Sequence, residues 1–446
     1  MKKFLTTIIV LFLLATAAHA IYRFGFRKSV PDAPVPEQVA LILSRNDCFV
    51  CHSRNPELPF YSKLPVIGPK IREHAAHAVD FTDLETATAD LENIDEVALS
   101  MLDHAVSYGN MPVPQYSMIH WGTRFNGKEK SILAGWIREK RGTDEPVSAL
   151  PQSVEYDAVK AALGEKMFND PRVSLDGSIS CAECHVLAKG GADHADERVS
   201  EGINGLKGGV NAPTVYNSGF NVRQFWNGRA ADLREQAEGP ATNPVEMGDQ
   251  TWDMIVERLS QYPELVAEFE AAYPGEGLDR MTVTDAIAEF ERTLITPNSR
   301  FDRYLSGDTG ALAAEELQGY EAFKKNACAT CHTGVILGGR SFEKLTIYGD
   351  YFADRAKSRP EIEYNSDDDG LKGFTGNEAD LHKYKVPGLR NVALTAPYFH
   401  DGSYSSLEDA VISMAYYEIG KKLSSEEAHA ITLFMNTLTG ESPYFE

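Results

Sequence analysis

Cysteine and histidine carry the first chemical signal in this chain. The triplets Cys48/Cys51/His52, Cys181/Cys184/His185 and Cys328/Cys331/His332 each read Cys-x-x-Cys-His, and together they use all six cysteines. Two thiols at this spacing can add to the vinyl groups of a haem, and the adjoining histidine then lies under the ring as proximal iron ligand. A lone Cys-x-x-Cys also suits a redox pair or half a zinc site, but a histidine in every copy fits neither. Disulfides between cysteines so close in sequence would be strained. The sequence therefore predicts three covalently bound haem c groups.

Helices must position these motifs. Gly164 and Phe168 precede the second motif, and Gly319 and Phe323 precede the third. Residues at i and i+4 share a helix face, and the glycine admits a second helix at close range, as at the start of a cytochrome c fold. Partner helices are predicted over Ser131–Lys140, with the apolar stripe Ile132, Trp136 and Ile137, and at the chain end, where Ile431, Phe434, Met435 and Leu438 follow the capping box Ser424-x-x-Glu427. Gly-Gly pairs follow the second and third motifs at Gly190-Gly191 and Gly338-Gly339, marking a weak internal repeat. No strand-rich pattern competes. The expected architecture is mainly α: three cytochrome c-like haem domains in tandem, preceded by an N-terminal hydrophobic segment. The expected bounds are a leader at 1–28, a first haem domain at 30–142, a linker at 143–153, and haem domains at 154–300 and 301–446. The run Asp367-Asp368-Asp369 reads as a solvated loop, because EF-hand ligand spacing is missing.

Lys2 and Lys3 are followed by Phe4–Tyr22, a stretch with no Asp, Glu, Lys or Arg. The favoured reading is an uncleaved anchor with the bulk of the chain on the periplasmic side of a bacterial cytoplasmic membrane. Ala18-His19-Ala20 equally resembles a cleavage site, which would leave a soluble periplasmic protein. Covalent haem attachment fits export. The 43 basic and 65 acidic residues, a formal charge of −22, argue against nucleic acid as a partner and leave a small neutral substrate or a basic redox protein.

Longer motifs carry a family resemblance: Asn211-Ala-Pro-Thr-Val-Tyr-Asn217, Gln224-Phe-Trp-Asn-Gly-Arg-Ala230, Pro244-Val-Glu-Met247 and Val386-Pro-Gly-Leu-Arg-Asn, continuing to Tyr398-Phe-His-Asp-Gly402. In this order around two haem motifs, they resemble the bacterial di-haem cytochrome c peroxidases from Val154 onward. The whole chain looks like their three-haem, membrane-anchored relatives that draw electrons from quinol. The resemblance implies that the last two haem domains form a di-haem body that reduces hydrogen peroxide to water. Its donor would be the quinol pool or a small c-type cytochrome, and the oligomeric state stays open, a homodimer included.

Carried over residue by residue, the resemblance makes His185 the proximal ligand of the peroxidatic iron and His332 that of the electron-transfer iron, with Met414 opposite His332. Methionine opposite histidine raises the reduction potential and closes the site, which suits a relay. Glu246 matches the distal acid/base, Gln236 would orient peroxide, and Trp226 matches the aromatic between the haems. Pro244, Val245 and Met247 beside Glu246 favour a buried carboxyl with a raised pKa. A calcium ion is implied at Asn211, Thr395 and Pro397. One departure stands out. Where many relatives carry a displaceable histidine ligand, this chain has Ile203, which implies an open or water-ligated iron at rest, with His194 as the fallback. For the iron held by His52, Met111 in its proline-containing loop is the first choice of ligand, ahead of Met118 and Met101.

Two rival readings are a multi-haem electron carrier without catalysis and a related protein-modifying di-haem oxidase. Those oxidases place tyrosine where Met414 stands.

Overall fold

The computed structural model describes residues 2–21, 29–120, 122–193 and 198–445. The chain is mainly helical and divides into two compact units, residues 1–146 and 147–446.

In the first unit, α1 (Lys2–Ile21) precedes α2 (Val35–Arg45), α3 (Glu96–Tyr108) and α4 (Gly127–Arg141). The core gathers Val39, Ile42, Leu43, Leu99, Leu102, Leu133, Trp136 and Ile137 from the last three. Asn126 and Glu129 form a reciprocal capping box that starts α4, satisfying two backbone donors at the helix end. The expected stripe lies on α4, with Trp136 and Ile137 buried and Ile132 at the rim.

The structure corrects the expectation of a membrane-spanning leading segment. Among the described residues no helix is long and apolar enough to cross a membrane. Thr6, Thr7, Thr16 and His19 break the apolar run of α1, leaving Ile8–Ala15 as its longest uninterrupted stretch, and a span needs about 20 mostly apolar residues. The second and third motifs share one compact unit.

That second unit is built on a repeated helix pair. Helix α5 (Ala158–Phe168) packs on α6 (Arg280–Thr293), and α7 (Ala314–Lys325) packs on α9 (Ser425–Asn436), with α8 (Leu407–Ile419) beside α9. A Cβ on Gly164 would collide with the Ala286 carbonyl and lie 2.9 Å from the Phe290 Cβ. Gly319 repeats this against Ala430 and Phe434, again at 2.9 Å. Helix α6 is the closing helix that the sequence reading missed. Its signal was present, since Ala286-Ile-x-x-Phe290-x-x-Thr293-Leu294 matches Ala430-Ile-x-x-Phe434-x-x-Thr437-Leu438.

Polar cross-links explain why the two halves form one body. Asn217 and Asn391 both sit at φ 61°, a left-handed conformation asparagine tolerates. Both donate through Nδ2 to the Thr296 hydroxyl at 2.9 Å, in a fully buried position. The stretch expected as a linker is docked from Val147 onward: Val147 bridges Gly334, and Arg390 donates to the Ser148 carbonyl at 2.9 Å. One short antiparallel pair, β1 (Phe342–Lys344) with β2 (Lys383–Lys385), sets Glu343 opposite Tyr384. The acidic run is not uniformly solvated either. Asp368 is 1% exposed and is held by Arg355 at 2.7 Å and by His400 at 2.9 Å.

Candidate active site

Each Cys-x-x-Cys-His motif makes a tight turn whose histidine is oriented by the main chain. Nδ1 lies 3.2 Å from the Thr82 carbonyl in His52, 3.2 Å from Gly191 in His185 and 3.0 Å from Leu337 in His332. A ring held through Nδ1 presents Nε2 as the free ligand atom, as in haem and metal sites generally. Burial lowers the pKa of all three imidazoles, that of His332 to about 4, so the neutral ligand form prevails. None of the six cysteines is in a disulfide. Burial pushes Cys48, Cys181 and Cys328 up to about 12 and Cys184 to about 11, so none of these thiols is a resting thiolate.

Two large cavities open beside the second and third motifs. The first, about 1460 Å³ with its mouth, is lined by Cys181, Cys184, His185, Trp226, Gln236 and Glu246. The other, about 1390 Å³, is lined by His332, Met414, Asn211, Thr395, Pro397 and Trp226. Buried polar atoms without partners face into them, Ser218 Oγ in the first and Asn221 Oδ1 in the second. Thiol pairs, an oriented imidazole and an adjoining cavity with unsatisfied polar atoms fit a haem c in each.

The expected site residues are thus brought together. Glu246 accepts a hydrogen bond from Asn243 Nδ2 at 2.5 Å. Burial raises its pKa, while the charge of Arg229 and the Asn243 bond oppose the shift and Asp367 adds to it. Ile203 is buried directly behind this segment, its backbone N–H donating to the Glu246 carbonyl at 2.8 Å. Gly202 comes so close that any side chain there would strike Val245 and Glu246. Trp226 and Asn211 line both cavities.

Asn211 Nδ2 donates to the Pro397 carbonyl at 2.6 Å, and the Thr395 hydroxyl donates to Val392 at 3.2 Å. Among the described residues no group of three or more His, Cys, Asp or Glu is placed to hold a metal ion. Met111 stands at the surface, 39% exposed, between α3 and the short helix Pro114–Ile119, whereas Met101 is buried on α3. His194 lies outside the described residues. The sequence reading missed Arg229, Asp367 and Glu291, which line the first cavity. Only Arg229 had a local signal, its place in the Asn-Gly-Arg motif.

Residues 158–310 match the di-haem cytochrome c peroxidase family, and residues 9–139 match a haem-binding domain family. The chain is 41% identical to cytochrome c peroxidase Ccp of Escherichia coli, covering 91% of this chain and 88% of that one. It is 40% identical to cytochrome c551 peroxidase of Nitrosomonas europaea over 68% of this chain and 86% of the relative. Among solved structures, a MauG-like protein associated with microbial copper homeostasis superposes with a TM-score of 0.56 at 28% identity, covering 67% of this chain and 97% of that one. The motifs, the paired cavities and these likenesses agree that this chain belongs to the di-haem cytochrome c peroxidase family and is a haem c peroxidase.

Proposed function

We propose that the chain reduces hydrogen peroxide to water at the His185 cavity, with electrons relayed from a haem at His52 through the His332/Met414 side. The donor is a small c-type cytochrome or quinol, and the protein works outside the cytoplasm, where covalent haem attachment belongs. Three haem c groups follow from three equivalent motifs, each with its histidine oriented by a backbone carbonyl. Met111 is the ligand proposed opposite His52. When bound, haem supplies the iron that accepts peroxide oxygen and passes electrons.

The observation that carries this reading is Glu246. It is a carboxyl with a raised pKa in the same cavity as His185 and Gln236. Glu246 takes the first proton from peroxide and returns it to the departing oxygen. Gln236 orients the substrate by hydrogen bonding, and two electrons and two protons turn one peroxide into two waters. Asn243 keeps the Glu246 carboxyl aimed by its bond to Oε1. Behind them stands Ile203, which offers no ligand atom where many relatives carry a histidine, so a haem held by His185 would keep room for substrate. His332 and Met414, lining the other cavity, give a closed relay. Asn211, Thr395 and Pro397 offer only neutral oxygens, which suits Ca²⁺ of modest affinity once the Asn211 amide turns its oxygen toward the ion.

Steady-state peroxide consumption with reduced cytochrome c and with quinol, comparing the parent with Glu246→Gln, tests the assignment. A positioned acid/base contributes about 10²- to 10⁴-fold, and a variant as fast as the parent rejects it.

A further inference from the structure

We propose that Arg229 is a second catalytic residue of the peroxide cavity: its guanidinium holds the hydroperoxide anion left when Glu246 takes the first proton, and Asp367, supplied by the other half of the body, tempers that charge. The proposal rests on the reading of Glu246 as proton acceptor.

Arg229 lines the cavity with Glu246, Gln236 and His185. Its guanidinium lies over the Phe225 ring, 3.4 Å from the centroid, and Nη1 donates to Asn227 Oδ1 at 3.3 Å. Phe225 itself sits at φ 65°, a conformation that is an outlier for a bulky residue and that marks positions held for a purpose. No salt bridge engages Arg229 among the described residues. A permanently charged fork lining a cavity and not bridged to a carboxylate is a preformed anion site. The electrostatics agree, since Arg229 feels the charges of both Glu246 and Asp367 while burial disfavours its cation.

Asp367 reaches this cavity from the loop before β2. Its carboxylate packs close over Gly209, where a Cβ would displace it. The neighbouring Asp368 pins the loop through Arg355 and His400, so Asp367 is delivered by a rigid segment. The two halves thus bring Arg229, Glu246 and Asp367 to the lining of one cavity.

The chemistry balances. A peroxide O–H bond breaks, its proton goes to a Glu246 oxygen, and the electron pair stays on the peroxide oxygen, where Arg229 stabilises it. When the O–O bond breaks, Glu246 returns that proton to the leaving oxygen. The two electrons come from the relay described above, and because the shuttled proton is the peroxide's own, both protons that complete the two waters come from solvent.

The test uses the full-length haem-loaded protein, with azide as the anionic probe and its dissociation constant read from the absorption spectrum. Arg229→Gln should lower kcat/KM for peroxide by about 10²- to 10³-fold, as loss of a donor to a developing anion does. It should also weaken azide binding by about tenfold or more. Arg229→Lys should restore most of the azide affinity, because charge and not packing is at issue. Asp367→Asn, outside the helical core, should tighten azide binding. Glu246→Gln should lose turnover without losing azide affinity. A variant Arg229→Gln with azide affinity within about twofold of the parent, a lysine variant as weak as the glutamine, or Asp367→Asn that binds azide no more tightly, each overturns the proposal. A fully active Glu246→Gln would instead sink the proton-acceptor reading and leave the anion site standing.

Discussion

The indole nitrogen of Trp226 donates to the main-chain carbonyl of Asn211 at 2.8 Å, and both residues face both large cavities. The Trp226 carbonyl in turn accepts from Lys385 N–H at 2.8 Å, and Asn211 N–H donates to His400 at 2.8 Å. The ring is therefore clamped between strand β2 and the Asn211 segment. Trp226→Phe keeps an aromatic wall and loses one hydrogen bond, a cost of about 0.5–1.5 kcal/mol in unfolding free energy. Trp226→Ala removes the wall. Re-oxidation by peroxide of the fully reduced protein, followed by stopped flow, should slow far more in the alanine variant than in the phenylalanine one. Equal slowing would show that the hydrogen bond, not the ring, matters.

At the two helix crossings there is no room for one more carbon. Gly164→Ala and Gly319→Ala each drive a methyl into a carbonyl of the facing helix, and overpacking of this kind costs about 1–3 kcal/mol. Gly135, on the exposed run of α4, meets nothing within 4 Å. Its alanine variant should gain about 0.5–1 kcal/mol. Urea unfolding followed by circular dichroism checks both signs.

Which parts of this design were readable in the sequence follows the range of the interactions. The haem motifs, the Gly/Phe helices and the Ser424/Glu427 capping box are local patterns, and each stands where its spacing implies. Helix α6 was missed because its residues repeat those of α9 only when the two segments are compared directly. The burial of Asp368 was invisible because its partners, Arg355 and His400, lie far along the chain and make a carboxylate run look solvated. Arg229 and Asp367, far apart along the chain, come to one cavity only in the folded protein. The membrane-spanning reading of the first residues weighed charge and length and gave too little weight to the hydroxyls and the histidine.

Glu291, on α6, aligns with Met435 on α9 and lines the His185 cavity. Burial pushes its carboxyl from 4.5 up to about 8. A carboxyl that binds its proton more tightly in the folded state contributes fully below the unfolded pKa. As pH rises from about 4.5 to about 8, the unfolded chain releases the proton and the folded one keeps it, so stability falls. The slope is at most about 1.4 kcal/mol per pH unit. Unfolding free energies at pH 5.5, 6.5 and 7.5 should therefore fall in the parent relative to Glu291→Gln. Parallel curves would show that the carboxyl is not held neutral.

Arg355 makes the opposite kind of prediction. Its side chain is 3% exposed and bridges Asp368 at 2.7 Å and Asp401 at 2.7 Å, while Tyr351 donates to Asp401 at 2.6 Å. Burial alone would raise both carboxyls, but Arg355 and His400 outweigh it and hold both below the usual range. Their contribution is present above the unfolded pKa near 4 and disappears as pH falls through the depressed folded values. Arg355→Met leaves two buried carboxylates without their counter-charge, a loss of about 3–5 kcal/mol at neutral pH. Those carboxyls should then take up protons at higher pH than in the parent, so the deficit should shrink as pH drops toward 4. Adding Asp368→Asn to Arg355→Met should recover part of the loss, because the pair is coupled and the two effects cannot add. Unfolding measured across pH 4 to 7 for the parent, the single variant and the double variant decides it. A deficit that stays constant with pH would mean that Arg355 serves by packing its stem against Phe352, and that its charge is incidental.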